Sequence, residues 1–262
     1  MMQLREIRSA RTLLPDERAS LFSAAYEGYL LPFRIDEQQL AGMDNAFDID
    51  VEASRVAFRD GEPIGLGNLG VRGEDAWIGG VGVVPAARRS GVGQALMRAL
   101  HEQARELGVR RVWLEVIVEN TGAYALYEKL GYRTIRDVEV WSLAAEDGLA
   151  GWRDIPAPEA QARIRELRGG RQPWQRADGT LANYDDVRGL ETDGAVAVFR
   201  VGTTVQLLQL AGDANPVLTA LRQLGTVSVL NLPTDDPAAE TLRALDAKVV
   251  VRQHEMLLEL EH

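Results

Sequence analysis

The segment Val81–Leu96, VGVVPAARRSGVGQAL, constrains the fold of this chain more than any other stretch. An apolar, strand-like run leads into a proline, and Gly91 and Gly93 then stand at the start of a helical pattern. Glycines there let the backbone approach a ligand, and the unpaired N–H groups of a first helical turn attract an anion. Because Arg88 and Arg89 add positive charge, the segment predicts a binding site for a pyrophosphate.

Two common phosphate-binding motifs fit this segment less well. Gly80 and Gly82 begin a GxGxxG spacing, but Pro85 stands where a dinucleotide-binding turn needs its third glycine. A P-loop needs a lysine and then Ser or Thr after its last glycine, and Gln94 follows Gly93 instead. A helix that merely begins with glycine remains the alternative interpretation.

Composition excludes several classes of function. The 262 residues contain no cysteine, which excludes disulfides, thiolate metal sites and a cysteine nucleophile. The only histidines are His101, His254 and His262, so no metal centre is expected. A net charge of -10 argues against nucleic-acid partners. No apolar run approaches the ~18 residues of a membrane span, and the charged N-terminus lacks the apolar stretch of a signal peptide, so a soluble, cytoplasmic protein is expected.

A second segment, Val112–Tyr132 (VWLEVIVENTGAYALYEKLGY), identifies a family resemblance. Arg88, Gly91 and Gly93 in an RxxGxG spacing are followed by the Asn, Ala, LY and LGY of this segment. This arrangement resembles the GCN5-related N-acetyltransferase (GNAT) superfamily. The stretch from LEV to ALYEKLGY is especially similar to the ribosomal-protein alanine N-acetyltransferases. The resemblance covers about residues 1–143.

The resemblance implies a mixed α/β sheet that splays open between two parallel strands, here Ala76–Val84 and Arg111–Val118. It implies acetyl-CoA as cosubstrate, with the pantetheine arm paired to the backbone of Val81–Val84 and the pyrophosphate on the N–H groups of Arg89–Gln94. The cofactor-binding residues that it implies are Val81, Val83, Val84, Arg88, Arg89, Ser90, Gly91, Val92, Gly93, Gln94, Asn120 and Ala123.

Acetyl transfer needs two groups that handle protons, because the amine must lose a proton and the departing thiolate must gain one. By resemblance, Tyr127 is the acid, with core packing as the alternative. Glu115 matches the position of the base, which acts through a water. A carboxylate within an apolar strand is costly unless it is paired or functional, so a structural salt bridge is its alternative role. Glu119 and Asp75 are the reserve candidates for the base.

Hydrophobic periodicity predicts the remaining elements. In the first half we expect a strand at Leu4–Ile7, helices over Glu17–Tyr29 and Asp36–Ala46, a hairpin of Ser54–Arg59 and Pro63–Val71 turning at Asp60 and Gly61, a helix capped by Ser90 and stopped by Gly108, a helix over Gly122–Leu130 and a strand at Tyr132–Leu143. In the second half we expect strands at Ala195–Val201, Thr203–Ala211, Val227–Leu230 and Lys248–Glu259, with helices from Asn215 and Asp236.

The second half repeats the strand and helix order of the first and is interpreted as a diverged duplication, with two α/β halves that look alike by chance as the alternative. It lacks the phosphate loop, and Leu242 aligns with Tyr127, so it is expected to be a degenerate GNAT-like domain. Proline and glycine clusters divide the chain into a GNAT domain (1–144), a linker with a short helix (145–170) and the degenerate domain (171–262).

The predicted function is acetyl-CoA-dependent N-acetyltransfer to a primary amine of a small molecule or a peptide N-terminus, by direct attack. The alternatives are a non-catalytic acyl-CoA-binding regulatory module and, more weakly, a structural partner. The aromatic residues Tyr26, Tyr29 and Phe33 lie where this superfamily shapes its acceptor pocket, with surface packing as their alternative role. Either a monomer or a homodimer is expected.

Overall fold

The computed structural model describes residues 6–29, 34–148 and 150–261. The chain forms two compact units. The first unit runs as far as Leu114 and also takes in Gly122–Arg133 and the residues from Met256 onward; the second consists of Glu115–Thr121 and Thr134–Glu255. Some residues singled out in the sequence lie outside the described ones: Leu4, Phe33 and His262.

The elements of the N-terminal half of the chain belong to the first unit, with two exceptions. In order they are β1 (Glu6–Ser9), α1 (Pro15–Ala25), α2 (Glu37–Ala46), β2 (Arg55–Arg59), β3 (Glu62–Arg72), β4 (Asp75–Val83), α3 (Val92–Glu106), β5 (Arg111–Ile117) and α4 (Thr121–Lys129). The exceptions are Glu115–Ile117 of β5 and Thr121 of α4, which belong to the second unit. The strands lie in the order of their numbers, with antiparallel pairs up to β4 and a parallel pair of β4 with β5. As predicted, α3 makes the crossover that a parallel pair requires.

Local signals account for several boundaries. The side chain of Asp36 accepts a hydrogen bond of 2.8 Å from the first turn of α2, as a helix cap does. Asp60 (φ 54°) and Gly61 (φ 85°) form the expected hairpin turn between β2 and β3. Helix α1 ends at Ala25, earlier than the predicted Tyr29, because the residues that follow form a turn.

Strand β4 carries glycines where α1 crosses it. The register between β3 and β4 shifts at a bulge, where Gly80 has a φ of 104°. A Cβ on Gly80 would lie 2.5 Å from the hydroxyl of Tyr26, and one on Gly82 would lie 2.7 Å from the Cβ of Ala25. The Tyr26 ring stacks on Phe22 with centroids 4.8 Å apart. Glycine is therefore required for α1 to pack this closely on β4.

A buried histidine joins α3 to the end of α4. His101 is 5% exposed, and its Nε2 lies 2.8 Å from the hydroxyl oxygen of Tyr132, which follows α4. Burial, with a smaller effect of the neighbouring Arg105, lowers the pKa of His101 to about 4. The imidazole is therefore neutral at physiological pH and holds the two helices together by a hydrogen bond.

The C-terminal half of the chain repeats the predicted pattern. Its elements are β6 (Arg133–Leu143), β7 (Arg153–Ile155), α5 (Ala157–Leu167), α6 (Asp178–Ala182), β8 (Arg188–Thr192), β9 (Ala195–Val201), β10 (Val205–Gly212), α7 (Ala214–Arg222), β11 (Val227–Pro233), α8 (Pro237–Ala244) and β12 (Lys248–Glu259). They belong to the second unit except for Arg133 of β6 and Met256–Glu259 of β12. Strands β6, β11, β10, β9, β8 and β7 are neighbours in that order. The sequence did not predict β7 and β8, which are short and rich in charge. Within the described part of the chain, no helix combines the length and apolar character needed to cross a bilayer.

An arginine fills the space between β10 and β11. Among the residues that the structure describes, these strands pair in parallel only where Val205 and Gln206 face the start of β11. Beyond that point, Nη1 of Arg176 donates hydrogen bonds of 3.3 Å to the carbonyl oxygens of Leu207 on β10 and Leu230 on β11. Arg176 is 1% exposed, and burial lowers its pKa to about 9, so it remains a cation at neutral pH.

The buried His101 predicts a loss of stability in mild acid. Unfolding returns the imidazole to a pKa near ~6.5, so the unfolded chain binds a proton that the folded chain excludes between about pH 6.5 and pH 4. The contribution is fully present above pH 6.5 and falls by about 3 kcal/mol as the pH approaches 4. Urea unfolding of the wild type and of His101→Gln across this range measures it. Equal pH dependence in the two proteins would contradict the prediction.

The glycine at the β4 bulge predicts a steric cost that depends on Tyr26. We expect Gly80→Ala to lower the free energy of unfolding by about 1–3 kcal/mol, because of the positive φ and the contact with the tyrosine hydroxyl. Tyr26→Phe in the same chain should recover part of this loss. Gly122→Ala in α4 is the control, because no atom lies within 4 Å of its Cβ. An unchanged stability of Gly80→Ala would rule out the close packing.

Candidate active site

The candidate site is an opening between the parallel strands β4 and β5. Among the described residues, the two strands pair only where Asp75, Ala76 and Trp77 face the start of β5. Strand β4 continues to Val83, and its other edge stays paired with β3. An unpaired strand edge offers a row of backbone N–H and C=O groups, so an extended molecule with amide groups can pair with it as an added strand.

Asp75 closes the other end of this opening. Its carboxylate accepts hydrogen bonds of 2.8 Å from Nε and Nη2 of Arg111 and of 2.8 Å from Nε1 of Trp113. A carboxylate held by these donors fastens the two strands where they meet. The reserve base of the sequence analysis is therefore a clamp between β4 and β5.

The loop from β4 to α3 has the backbone geometry of an anion site. Arg89 has a φ of 57° and Gly91 a φ of 81°, so two residues close together adopt the left-handed conformation. Left-handed residues are one component of the anion-binding nests of proteins, and we refer to this loop as the nest. The strained φ of an exposed arginine is an observed outlier, and such outliers cluster at ligand sites.

The start of α3 is left open to this nest. The prediction that Ser90 caps the helix is wrong: α3 begins at Val92 after Gly91, with no capping side chain, and the Ser90 hydroxyl donates to the Ala87 carbonyl at 2.6 Å. The first N–H groups of the helix therefore face the loop without an intrahelical partner. A Cβ on Gly93 would lie 3.9 Å from Leu126, so α4 packs beside this turn. A diphosphate fits this arrangement.

Arg88 has a different contact from the one expected. Its Nε donates to the carbonyl oxygen of Val83 at 3.0 Å, and its Nη2 donates to those of Ala25 at 3.2 Å and Glu27 at 2.5 Å. The guanidinium thus joins the end of α1 to the end of β4, and its charge lies beside the loop. A cation at a helix C-terminus also interacts favourably with the last carbonyls.

Tyr127 lies on α4 among other tyrosines. Its ring is buried and lies 5.8 Å from that of Tyr132. Burial, with a smaller effect of Tyr29, raises the pKa of Tyr127, and burial raises that of Tyr26 with smaller contributions from Tyr127 and Tyr29. The three phenols of α1, the turn after it and α4 are therefore close, and Tyr127 stays protonated at neutral pH.

The predicted Glu115 and Asn120 belong to the second unit, whereas the β4 and α3 residues, Ala123 and Tyr127 belong to the first. Glu115 is half-buried on β5, and its Oε2 accepts a hydrogen bond of 3.1 Å from Nε2 of Gln175. The N–H of Asn120 donates to the carbonyl oxygen of Ile117 at 2.8 Å, forming the turn after β5. Sequence reasoning missed Gln175, because no motif marks it.

The chain is similar in sequence to known acetyltransferases. The model of the acetyltransferase (GNAT) family matches residues 18–132. Ribosomal protein bS18 alanine N-acetyltransferase of Escherichia coli is 40% identical over 65 residues, which are 24% of this chain and 44% of that protein, so the match spans less than half of the relative. A putative enzyme of the same name in Bacillus subtilis is 34% identical over 102 residues, 38% of this chain and 67% of that protein.

Solved structures match nearly the whole chain. A GCN5-related N-acetyltransferase from Sphaerobacter thermophilus has a TM-score of 0.73 at 18% identity, covering 97% of this chain and 95% of that one. A tandem GNAT protein from the clavulanic acid biosynthesis pathway has a TM-score of 0.66 at 15% identity, covering 98% of each chain. These similarities show a tandem GNAT fold. Together with the family match and the Bacillus subtilis relative, they show that the chain belongs to the GNAT family of acetyltransferases.

Proposed function

We propose that this chain is an N-acetyltransferase that uses acetyl-CoA and acts on a primary amine. The observation that carries the proposal is the unpaired edge of β4, which leads directly into the nest at the start of α3. An edge of backbone amides followed by an anion site matches a ligand in which an amide-containing arm ends in a diphosphate. We further propose residues 1–144 as the catalytic domain, 145–170 as a linker and 171–262 as a degenerate domain.

Different residues of the chain would bind the pantetheine arm and the diphosphate of acetyl-CoA. The backbone of Val81 and Val83 would pair with the pantetheine arm, and Val84, Asn120 and Ala123 would also contact it. The N–H of Val84 already donates to the Ile64 carbonyl oxygen at 3.0 Å and its carbonyl oxygen accepts from the N–H of Ala87 at 2.9 Å, so Val84 would contribute contacts other than backbone pairing. The N–H groups from Arg89 to Gln94 would receive the diphosphate, and the charge of Arg88 would favour it. When bound, the molecule supplies an acetyl thioester.

Tyr127 is proposed as the general acid. The amine nitrogen forms a bond to the acetyl carbon, the carbon–sulfur bond breaks, and the thiolate takes the phenolic proton of Tyr127. Because burial raises the pKa of Tyr127, the phenol holds this proton throughout the neutral and mildly alkaline range. Tyr127 itself is buried and lies close to two other phenols, Tyr26 and Tyr29, which supports a protonated hydroxyl at this position.

Glu115 is proposed as the base that takes the proton of the amine through a water. An α-amino group with a pKa of ~8 is partly neutral at pH 7.4, whereas a lysine amine near ~10.4 is neutral in about one molecule in a thousand. A carboxylate suffices for the first kind of acceptor more readily than for the second. This favours a peptide N-terminus, and the relatives named for the alanine of bS18 point the same way, with small amines as the other class to test.

The degenerate domain, residues 171–262, is proposed to bind no acetyl-CoA of its own. Arg176 already occupies the space between its parallel strands. At the start of α7, the carboxylate of Asp213 accepts a hydrogen bond of 3.0 Å from Asn215, so a negative charge stands where α3 has Gly91. A carboxylate at that position repels a phosphate, and it also occupies an N–H group that the phosphate would need.

These contrasts predict one acetyl-CoA bound per chain, which titration calorimetry measures directly. Gly91→Asp copies the carboxylate of α7 onto α3 and should weaken acetyl-CoA binding by about tenfold or more. Asp213→Gly, the matched control, should leave the affinity and the stoichiometry unchanged. Two molecules bound per chain, or no effect of Gly91→Asp, would contradict the assignment of the site.

The acid role predicts that Tyr127→Phe lowers kcat by about a hundredfold or more while the Kd for acetyl-CoA stays within about twofold. The wild-type kcat should show no decline up to about pH 10, because the raised pKa keeps Tyr127 protonated. CoA release with a panel of alanine-ended peptides, polyamines, aminoglycosides and amino acids gives the rates. Tyr124→Phe, on the same helix, is the control.

An unchanged rate in Tyr127→Phe would remove this residue from the mechanism. Tight acetyl-CoA binding with no CoA release on any amine of the panel would favour the acyl-CoA-binding regulatory module instead.

A further inference from the structure

Gln175 contacts the candidate base from a part of the sequence that carries no family motif. It lies in a short 3-10 helix, Trp174–Arg176, and its Nε2 donates a hydrogen bond of 3.1 Å to Oε2 of Glu115. A carboxylate only accepts hydrogen bonds, so its partner must present the amide nitrogen and not the amide oxygen. The contact therefore fixes which way the Gln175 amide faces.

This orientation has a cost for Gln175. With Nε2 on Glu115, the amide oxygen of Gln175 is buried and finds no hydrogen-bond partner among the described residues. A buried acceptor without a partner costs free energy, and an apolar side chain of similar length would avoid that cost. The amide is thus poorly placed for stability and well placed to hold the carboxylate.

The backbone that carries Gln175 is fastened on both sides. Arg176 donates to the carbonyl oxygens of Leu207 and Leu230, and its own carbonyl accepts a hydrogen bond of 2.6 Å from Nε2 of Gln209. The carbonyl of Trp174 accepts a hydrogen bond of 2.6 Å from the Thr180 hydroxyl. Only the side-chain torsions of Gln175 remain free, so the amide reaches Glu115 from a fixed origin.

We propose that Gln175 is a positioning residue that holds the Glu115 carboxylate in one orientation and favours its ionised form. The inference rests on the proposed role of Glu115 as the base. A donor N–H stabilises a carboxylate over the neutral acid, and a fixed origin limits the carboxylate to few rotamers. Arg176, which lies between β10 and β11, therefore also anchors the short helix that carries Gln175, the residue proposed to position Glu115.

The first experiment needs no activity. Carbon-13 NMR of protein labelled at glutamate carboxyl carbons follows the Glu115 resonance, which is identified by its disappearance in Glu115→Gln. In Gln175→Met, which keeps the side-chain length and removes the donor, the titration midpoint of that resonance should move to higher pH. Gln172→Met is the matched control, because the Gln172 amide oxygen is also buried without a partner on the same segment. An unmoved midpoint in Gln175→Met overturns the proposal.

The second experiment measures acetyl transfer with the panel amine that gives the fastest CoA release. Gln175→Met should lower kcat by about tenfold, leave the Kd for acetyl-CoA unchanged, and move the ascending limb of the kcat/KM pH profile to higher pH. In a Glu115→Gln background the same substitution should have no further effect, because Gln175 acts through Glu115. An equal loss in both backgrounds overturns the proposal.

These outcomes separate the two hypotheses. If Glu115→Gln transfers acetyl at the wild-type rate, the base assignment fails, while the NMR midpoint still reports whether Gln175 holds the carboxylate. If Gln175→Met is less stable than the wild type, Gln175→Glu tests the same contact without loss of side-chain polarity. A second carboxylate beside Glu115 should raise the midpoint further than Gln175→Met does, and an unmoved midpoint there also overturns the proposal.

Discussion

The pairing of backbone N–H and C=O groups at one parallel junction governs what each unit of this protein can do. A buried backbone group must find a partner, and two parallel strands that diverge leave a row of groups without one. In the first unit, β4 and β5 are clamped together at Asp75 and then separate, which leaves one edge of β4 unpaired. In the second unit, β10 and β11 separate in the same way, and Arg176 supplies the missing donors. The junction of β4 and β5 therefore keeps an unpaired edge among the described residues. At the junction of β10 and β11, Arg176 donates a hydrogen bond to a carbonyl oxygen of each strand.

The helix that follows each junction reinforces this difference. Helix α3 begins after Gly91 with no capping side chain, and the loop before it adopts left-handed backbone at Arg89. Helix α7 begins after Asp213, whose carboxylate already satisfies an N–H of the first turn. A stabilising cap and an anion site compete for the same N–H groups, so a helix start cannot serve fully as both. Helix α3 therefore lacks the stability that a capping side chain provides. At α7 the cap occupies an N–H group that an anion would need.

Much of the first unit could be predicted because its signals are local. The hairpin at Asp60 and Gly61, the helix that begins beside Asp36 and the strand and helix order follow from neighbouring residues. Contacts between distant residues could not be predicted. Asp75 meets Arg111 across 36 residues and Gln175 meets Glu115 across 60, and neither pair leaves a trace in hydrophobic periodicity. The predicted cap at Ser90 is wrong because a hydroxyl before a helix can either cap that helix or bond to the preceding turn. Here it donates to the carbonyl oxygen of Ala87 in the preceding turn.

The guanidinium of Arg88 ties three carbonyl oxygens, two at the end of α1 and one at the end of β4. These hydrogen bonds connect the loop after β4 to the end of α1, so a displacement of one would be transmitted to the other. Tyr26 follows the last residue of α1 and lies over the glycines of β4, so its side chain would move together with the end of α1. Any movement of the loop after β4 would therefore also move the Tyr26 side chain, because Arg88 links the loop to the end of α1 and Tyr26 lies against the glycines of β4.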